Sequence, residues 1–291
     1  MIHCGDLKIG PLCFRFEHES AVALDYQDWA YADFIHPPTG PDHASDALRI
    51  MPVRLHHGAL SCPDREPLFT AGRNWAVWEE PDDTYLFCAG LARHPLAYRA
   101  CRVYRALQRA DLYVDGDLAK EPLRYPLDQI LSWGLLGQCG GVLLHAAAVE
   151  KGGEGFLFAG HSGAGKSTLS ALCHEAGWSI LNDDRAMVFP RAGQWIMAGT
   201  PWHGSGKYAE NREVPLRSIY LLAQDQEDKV VAMPLQESRR ALLNVCSVPW
   251  FEDRWSEQVL SNLEQFTASV PLRRFHFTRS SSAVHELEKL L

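Results

Sequence analysis

Up to about Glu121 the chain runs in short apolar and aromatic segments, among them Leu12 to Phe16, Trp75 to Trp78 and Tyr85 to Ala89, punctuated by Gly, Pro and Asp. That pattern predicts strands joined by turns. Two exceptions stand out: Pro38 to Asp46 reads as a loop, and Leu96 to Arg109 has the spacing of a helix. Near Pro122 the pattern changes. Apolar residues recur at helical spacing behind Pro126, a residue suited to a first helical turn. We therefore expect a strand-rich N-terminal domain over 1–122 and a second domain over 123–291.

The second domain predicts a different architecture. Val142 to Val149 and Phe156 to Ala159 are apolar runs flanking a glycine turn at 152–155, which suits two paired strands. Beyond Lys166, Leu169, Leu172, Cys173 and Ala176 lie on one helical face, and Gly177 is placed to end the helix. A strand at Trp178 to Leu181 leads into Asn182-Asp183-Asp184-Arg185, followed by strands at Ala186 to Phe189, Trp195 to Ala198 and Ser218 to Ala223. Helices at Leu235 to Val245 and Asp253 to Phe266, a strand at Leu272 to Phe277 and a terminal helix complete an α/β pattern. The aromatic residues around Trp250 to Trp255 are expected in the core.

Composition narrows the class. With 46% hydrophobic residues in 291, the chain can fill a sizeable core. Its 28 Lys and Arg against 36 Asp and Glu give a formal charge of -8, so a nucleic-acid backbone would meet net repulsion. No apolar run reaches the length of a membrane span or a secretion signal, and the protein is expected to be soluble and cytoplasmic. Eight scattered cysteines without Cys-x-x-Cys or zinc spacing read as reduced thiols.

Any bound phosphate therefore needs a local device, and Gly160-His161-Ser162-Gly163-Ala164-Gly165-Lys166-Ser167 supplies one by matching G-x-x-x-x-G-K-[ST]. Glycines let successive backbone N–H groups curl into an anion cradle, and the helix beginning at Lys166 adds its positive dipole end. Lys166 offers a mobile charge for the β- and γ-phosphates of ATP, and the hydroxyl of Ser167, followed by Thr168, can join the coordination of Mg2+. A chance match in a chain of this length has a probability of roughly 1%.

Phosphoryl transfer also needs a carboxylate to take the acceptor's proton. Asp183 and Asp184 close the strand after the loop helix and, as consecutive strand residues, should point apart into divided roles. Asp225 is a weaker candidate, within a polar run that reads as an exposed hairpin turn. His145, between Leu144 and Ala146, could neutralise a transferring phosphoryl group. The polar stretch Gly199 to Lys207 reads as a loop over the site, with His203, Lys207 or Glu210 within reach of phosphate or metal. The transport-ATPase alternative lacks a Leu-Ser-Gly-Gly signature after the loop.

The succession of Leu143-Leu-His-Ala-Ala-Ala-Val149, glycine turn, Gly160 to Thr168 and Asn182-Asp-Asp-Arg185 resembles the catalytic domain of HPr kinase/phosphorylase and of the kinases that accompany ribosomally made peptides, including lasso-peptide tailoring kinases. Thr200-Pro-Trp202 and Pro215-Leu-Arg217 look like the peptide-kinase branch. The resemblance covers about Leu123 to Leu291. It implies a phosphoenolpyruvate-carboxykinase-like P-loop domain in which the loop strand belongs to a hairpin. It also implies catalytic roles for His145, Lys166, Asp183 and Asp184, with Asp184 as the base, and transfer of the γ-phosphate of ATP to a Ser or Thr hydroxyl of a peptide or small protein.

Two departures limit it. His145-Ala-Ala replaces the His-Gly-Val of HPr kinases, and their later glycine-rich signature with a metal-binding glutamate has no counterpart, so Glu210 is the remaining metal candidate. HPr as substrate and the reverse reaction are therefore outside the expectation. A kinase of a small-metabolite hydroxyl such as free serine, and a nucleotide-dependent regulatory protein, stay open as alternatives. So does a homo-oligomer.

Overall fold

A computed structural model describes residues 1–38, 49–90, 99–117 and 120–291. It is a mixed α/β structure with two large sheets, and its contacts divide the chain into two units. The first holds Met1–Leu135 and Pro249–Glu252; the second holds Leu136–Val248 and Asp253–Leu291. Among the described residues no helix is long and apolar enough to cross a membrane.

The first unit is built on β1 (Ile2–Ile9), β2 (Leu12–His18), β3 (Ile35–His36), β4 (Arg49–His57), β5 (Phe69–Ala71), β6 (Trp75–Glu80), β7 (Thr84–Ala89), β8 (Arg99–Tyr104) and β9 (Ala110–Val114). They form one sheet in the order β3-β1-β2-β4-β9-β8-β7-β6-β5. The strands predicted at Leu12, Trp75 and Tyr85 are β2, β6 and β7. The predicted helix at 96–109 is not there: 99–104 is β8, and Leu96 to Tyr98 lie outside the described residues. β8 is hydrogen-bonded to β7 on one edge and β9 on the other, and that two-sided ladder outweighs local helix propensity. Of the expected loop, 39–46 also lies outside the described residues.

α1 (Leu127–Gln138) leads into the second unit, as the periodicity behind Pro126 predicts. Two long strands, β10 and β15, organise that unit. β10 (Val142–Lys151) and β11 (Glu154–Ala159) form the expected antiparallel hairpin, and α2 (Lys166–Glu175), β12 (Ser179–Asn182), β13 (Arg185–Arg191) and β14 (Gln194–Ala198) come next. β15 (Glu213–Gln224), β16 (Lys229–Ala232), α3 (Leu235–Leu243), α4 (Asp253–Ser269), β17 (Leu272–Phe277) and α5 (Ser282–Glu288) complete the unit. The first residues of β10 pair with β13, and its later ones with β11 and β12; β15 likewise pairs first with β14 and then with β11 and β17. β11, β15 and β17 are parallel, so their C-terminal ends share one edge.

Strand alternation sorts the core into two layers. Val142, Leu144, Ala146 and Ala148 of β10, with Leu157 and Ala159 of β11, pack with Leu242 of α3 and Val259 and Leu263 of α4. Ala147, Val149, Phe156 and Phe158 face the other way, with Leu169 and Cys173 of α2 and Ala283 and Val284 of α5. Burial on both faces explains why β10 reads as a continuous apolar run.

Two smaller expectations are corrected. The polar run after β15 is not a hairpin turn, because β16 pairs with β17, which lies between it and β15. Trp250 sits in a turn and is 63% exposed, whereas Trp255 is buried on α4.

Candidate active site

β11 ends at Ala159, and the chain passes through Gly160 to Gly165 into α2. Gly165 caps that helix with φ at 102°, a conformation open to glycine, and a Cβ there would meet Cζ of the buried Phe277 at 2.5 Å. A Cβ on Gly160 would meet the Ala164 methyl at 2.7 Å. The Gln224 side chain, at the end of β15, donates from Nε2 to the Gly163 carbonyl at 2.8 Å. The ends of β15 and β17 thus shape the glycine loop, which opens onto the helix N-terminus where backbone amides lack intrahelical acceptors.

Lys166 is buried, and its Nζ donates to the carbonyls of Gly160 at 2.9 Å and His161 at 3.3 Å. Burial depresses its pKa, Arg185 adds to the effect, and the charges of Asp184 and Asp183 partly offset it. An ammonium desolvated in this way is primed to pair with an anion. His161 turns its Nδ1 to the Ser162 carbonyl at 2.6 Å, and His161, Ser162 and Thr168 are exposed. Ser167 Oγ accepts a hydrogen bond from Ser205 Oγ at 3.3 Å.

β12 ends at Asn182 and β13 begins at Arg185, so Asp183 and Asp184 form the two-residue connection instead of a strand end. Their side chains do diverge, but the cause is the turn and not strand alternation. Asn182 Oδ1 accepts from the amides of Asp184 at 2.8 Å and Arg185 at 2.6 Å. Asp183 is buried, and its carboxylate accepts from the Gly204 amide at 2.7 Å and the Gly206 amide at 2.6 Å. Asp184 faces His145, whose Nε2 lies 3.0 Å from Oδ1, and Arg185 Nε lies 3.6 Å from Oδ2. Burial alone would raise the Asp184 carboxyl; the His145 hydrogen bond and the charges of Arg185 and Lys166 prevail and hold it below its ordinary value.

The sequence marks Gly199 to Lys207 as a loop over the site with His203, Lys207 or Glu210 within reach of phosphate or metal. The loop's attachment to the aspartates through Asn182, Thr200, Gly204 and Gly206 was missed, and so was the neighbouring charge of Arg185; the Gly-Ser-Gly run at 204–206 was the available signal. A Cβ at either glycine would crowd the Asp183 carboxylate, at 3.0 Å from Gly204 and 2.8 Å from Gly206. The Glu210 carboxylate pairs with Arg212 at 3.5 Å, and its amide donates to the Leu181 carbonyl. Lys207 is exposed, and His203 Nδ1 lies 2.9 Å from the Gly204 carbonyl. Asp225 is held by His276 at 2.9 Å and by the Gln226 amide. Among the described residues no group of three or more His, Cys, Asp or Glu could by itself hold a metal ion.

Residues 133–272, a little under half of the chain, match the family described as SynChlorMet cassette protein ScmC. No curated protein matches. Among solved structures, the Hpr(Ser) kinase/phosphatase from Coxiella burnetii matches at 12% identity with a TM-score of 0.29, over 51% of this chain and 99% of that one.

Proposed function

We propose that this protein is an ATP-dependent kinase that moves the γ-phosphate to a Ser or Thr hydroxyl of a peptide or small protein, from a phosphoenolpyruvate-carboxykinase-like P-loop domain. The observation that carries the reading is one segment's hold on both parts of the site. The Gly204 and Gly206 amides donate to the Asp183 carboxylate, and Ser205 between them donates to Ser167 Oγ, at the start of the helix behind the glycine loop, at 3.3 Å. The buried Lys166 ammonium of the glycine loop and the Asp184 carboxylate beside His145 perturb each other's ionisation. This supports a reading in which a phosphate cradle and a proton acceptor serve one reaction, as in-line phosphoryl transfer requires.

In this reading loop amides hold the β- and γ-phosphates, and Lys166 exchanges its two carbonyl partners for phosphate oxygens. The acceptor oxygen attacks the γ-phosphorus while the bond to the β,γ-bridging oxygen breaks. The bridging electron pair leaves with ADP, and the hydroxyl proton passes to Asp184. Arg185 adds positive charge beside the reacting group, and His145 orients the Asp184 carboxylate through Nε2, 3.0 Å from Oδ1. Hard oxygen donors suit Mg2+, and the Ser167 hydroxyl would hold it together with the phosphate oxygens. When bound, the ion neutralises charge on the phosphate oxygens.

The acceptor class rests on the resemblance carried by Thr200-Pro-Trp202 and Pro215-Leu-Arg217. Incubation with γ-labelled ATP, a Ser/Thr peptide library and a metabolite panel tests it. Label on peptide, absent with Asp184→Asn, supports the reading. Label on free serine or another metabolite replaces the acceptor, and nucleotide binding without transfer to either replaces the kinase.

A further inference from the structure

Asn182 is wholly buried, and both ends of its amide are committed. Oδ1 accepts from the Asp184 and Arg185 amides and so fixes the turn that carries the acidic pair. Nδ2 donates to the carbonyl of Thr200 at 3.1 Å, to its Oγ1 at 3.0 Å and to the Trp202 carbonyl at 3.0 Å. Thr200 is also wholly buried, and its hydroxyl donates onward to the Arg185 carbonyl at 2.5 Å. Two residues beyond Trp202 begin the amides that grip Asp183. One buried amide therefore ties the Asp184 turn to the segment that holds Asp183.

We infer that Asn182, acting with the Thr200 hydroxyl, is a positioning residue that sets the aim of both aspartates without touching nucleotide or acceptor. The inference rests on the kinase reading above. The chemical argument is one of polarity: two carbonyl oxygens converge on Nδ2, so only a donor fits there, while two amides converge on Oδ1, so only an acceptor fits. Asparagine meets both demands. An aspartate of the same shape keeps the Oδ1 contacts but sets oxygen against the carbonyls of Thr200 and Trp202.

The test compares Asn182→Asp, Thr200→Val and Thr200→Ser with wild type, after thermal unfolding shows which are folded. Calorimetry reads MgATP affinity, and γ-phosphate release from MgATP with water as acceptor reads turnover. Asn182→Asp and Thr200→Val should keep Kd within about threefold, since the cradle is untouched, and lose about 100-fold in kcat, the scale of a misplaced catalytic group. Thr200→Ser, which keeps the hydroxyl, should restore kcat to near wild type. If Asn182→Asp does not fold, the valine and serine pair carries the test alone. A merely structural role would lower stability without splitting kcat from Kd, and that result overturns the inference. Asp184→Asn is the reference. If it is dead while Asn182→Asp and Thr200→Val turn over normally, only the positioning role falls. If it turns over at the wild-type rate, or wild type neither binds MgATP nor releases phosphate, the kinase reading and the positioning role fall together.

Discussion

Gly165→Ala probes the glycine loop and the core beneath it at once. At φ of 102° an alanine is strained, by about 1 to 2 kcal/mol. Its methyl would also lie 2.5 Å from Cζ and 3.3 Å from Cε1 of Phe277, a fully buried ring packed against Phe275 with centroids 5.7 Å apart. Overpacking of that kind costs about 1 to 3 kcal/mol. The ring can retreat, which disturbs the core, or the loop can lift, which spoils the cradle. The summed loss of about 2 to 5 kcal/mol should therefore divide between unfolding free energy in urea and MgATP affinity, where about 1.4 kcal/mol is a factor of ten. Phe277→Leu in the same chain removes the overlap but not the backbone strain, so the double variant should recover part of the loss. Gly165→Ala with unfolding free energy within about 0.5 kcal/mol of wild type and MgATP affinity within about twofold would refute the reasoning.

Lys166→Met should cost about 1 kcal/mol or less of stability in the absence of nucleotide, because removing a desolvated ammonium offsets the two lost hydrogen bonds, while turnover falls roughly 100-fold; denaturant titration and steady-state kinetics check the pair of effects. Asp183→Ala should destabilise by about 2 to 4 kcal/mol and speed hydrogen exchange at Gly204 and Gly206, whose amides lose a buried charged acceptor. Because Asp184 is held below the ordinary 3.8, its contribution to stability is present above that pH and is lost as pH falls through the folded value; Asp184→Asn should flatten this part of the stability profile measured by denaturant titration.

The parts of the site that depend on near neighbours in the chain were legible in the sequence. Glycine spacing and the helix period behind Lys166 are local, and so is the hairpin of β10 and β11. The closure of the same region is not. The hold of Gly204 and Gly206 on Asp183, and of Gln224 on Gly163, joins residues from distant parts of the chain through backbone groups that every sequence carries. β8 misleads for a related reason: Ala100, Cys101 and Val103 are compatible with a helix, and only pairing with β7 and β9 decides for a strand. Asn182 reads as an ordinary turn residue until the carbonyls of Thr200 and Trp202 arrive at its other face.

A crystal structure grown with Mg2+ and a non-hydrolysable ATP analogue tests the central claim most directly. The account predicts the triphosphate wrapped by Gly163 to Ser167, Lys166 Nζ moved from the Gly160 carbonyl to a phosphate oxygen, and the γ-phosphorus facing Asp184. An analogue bound elsewhere, or a glycine loop left empty with Lys166 still on its carbonyls at saturating analogue, would contradict it.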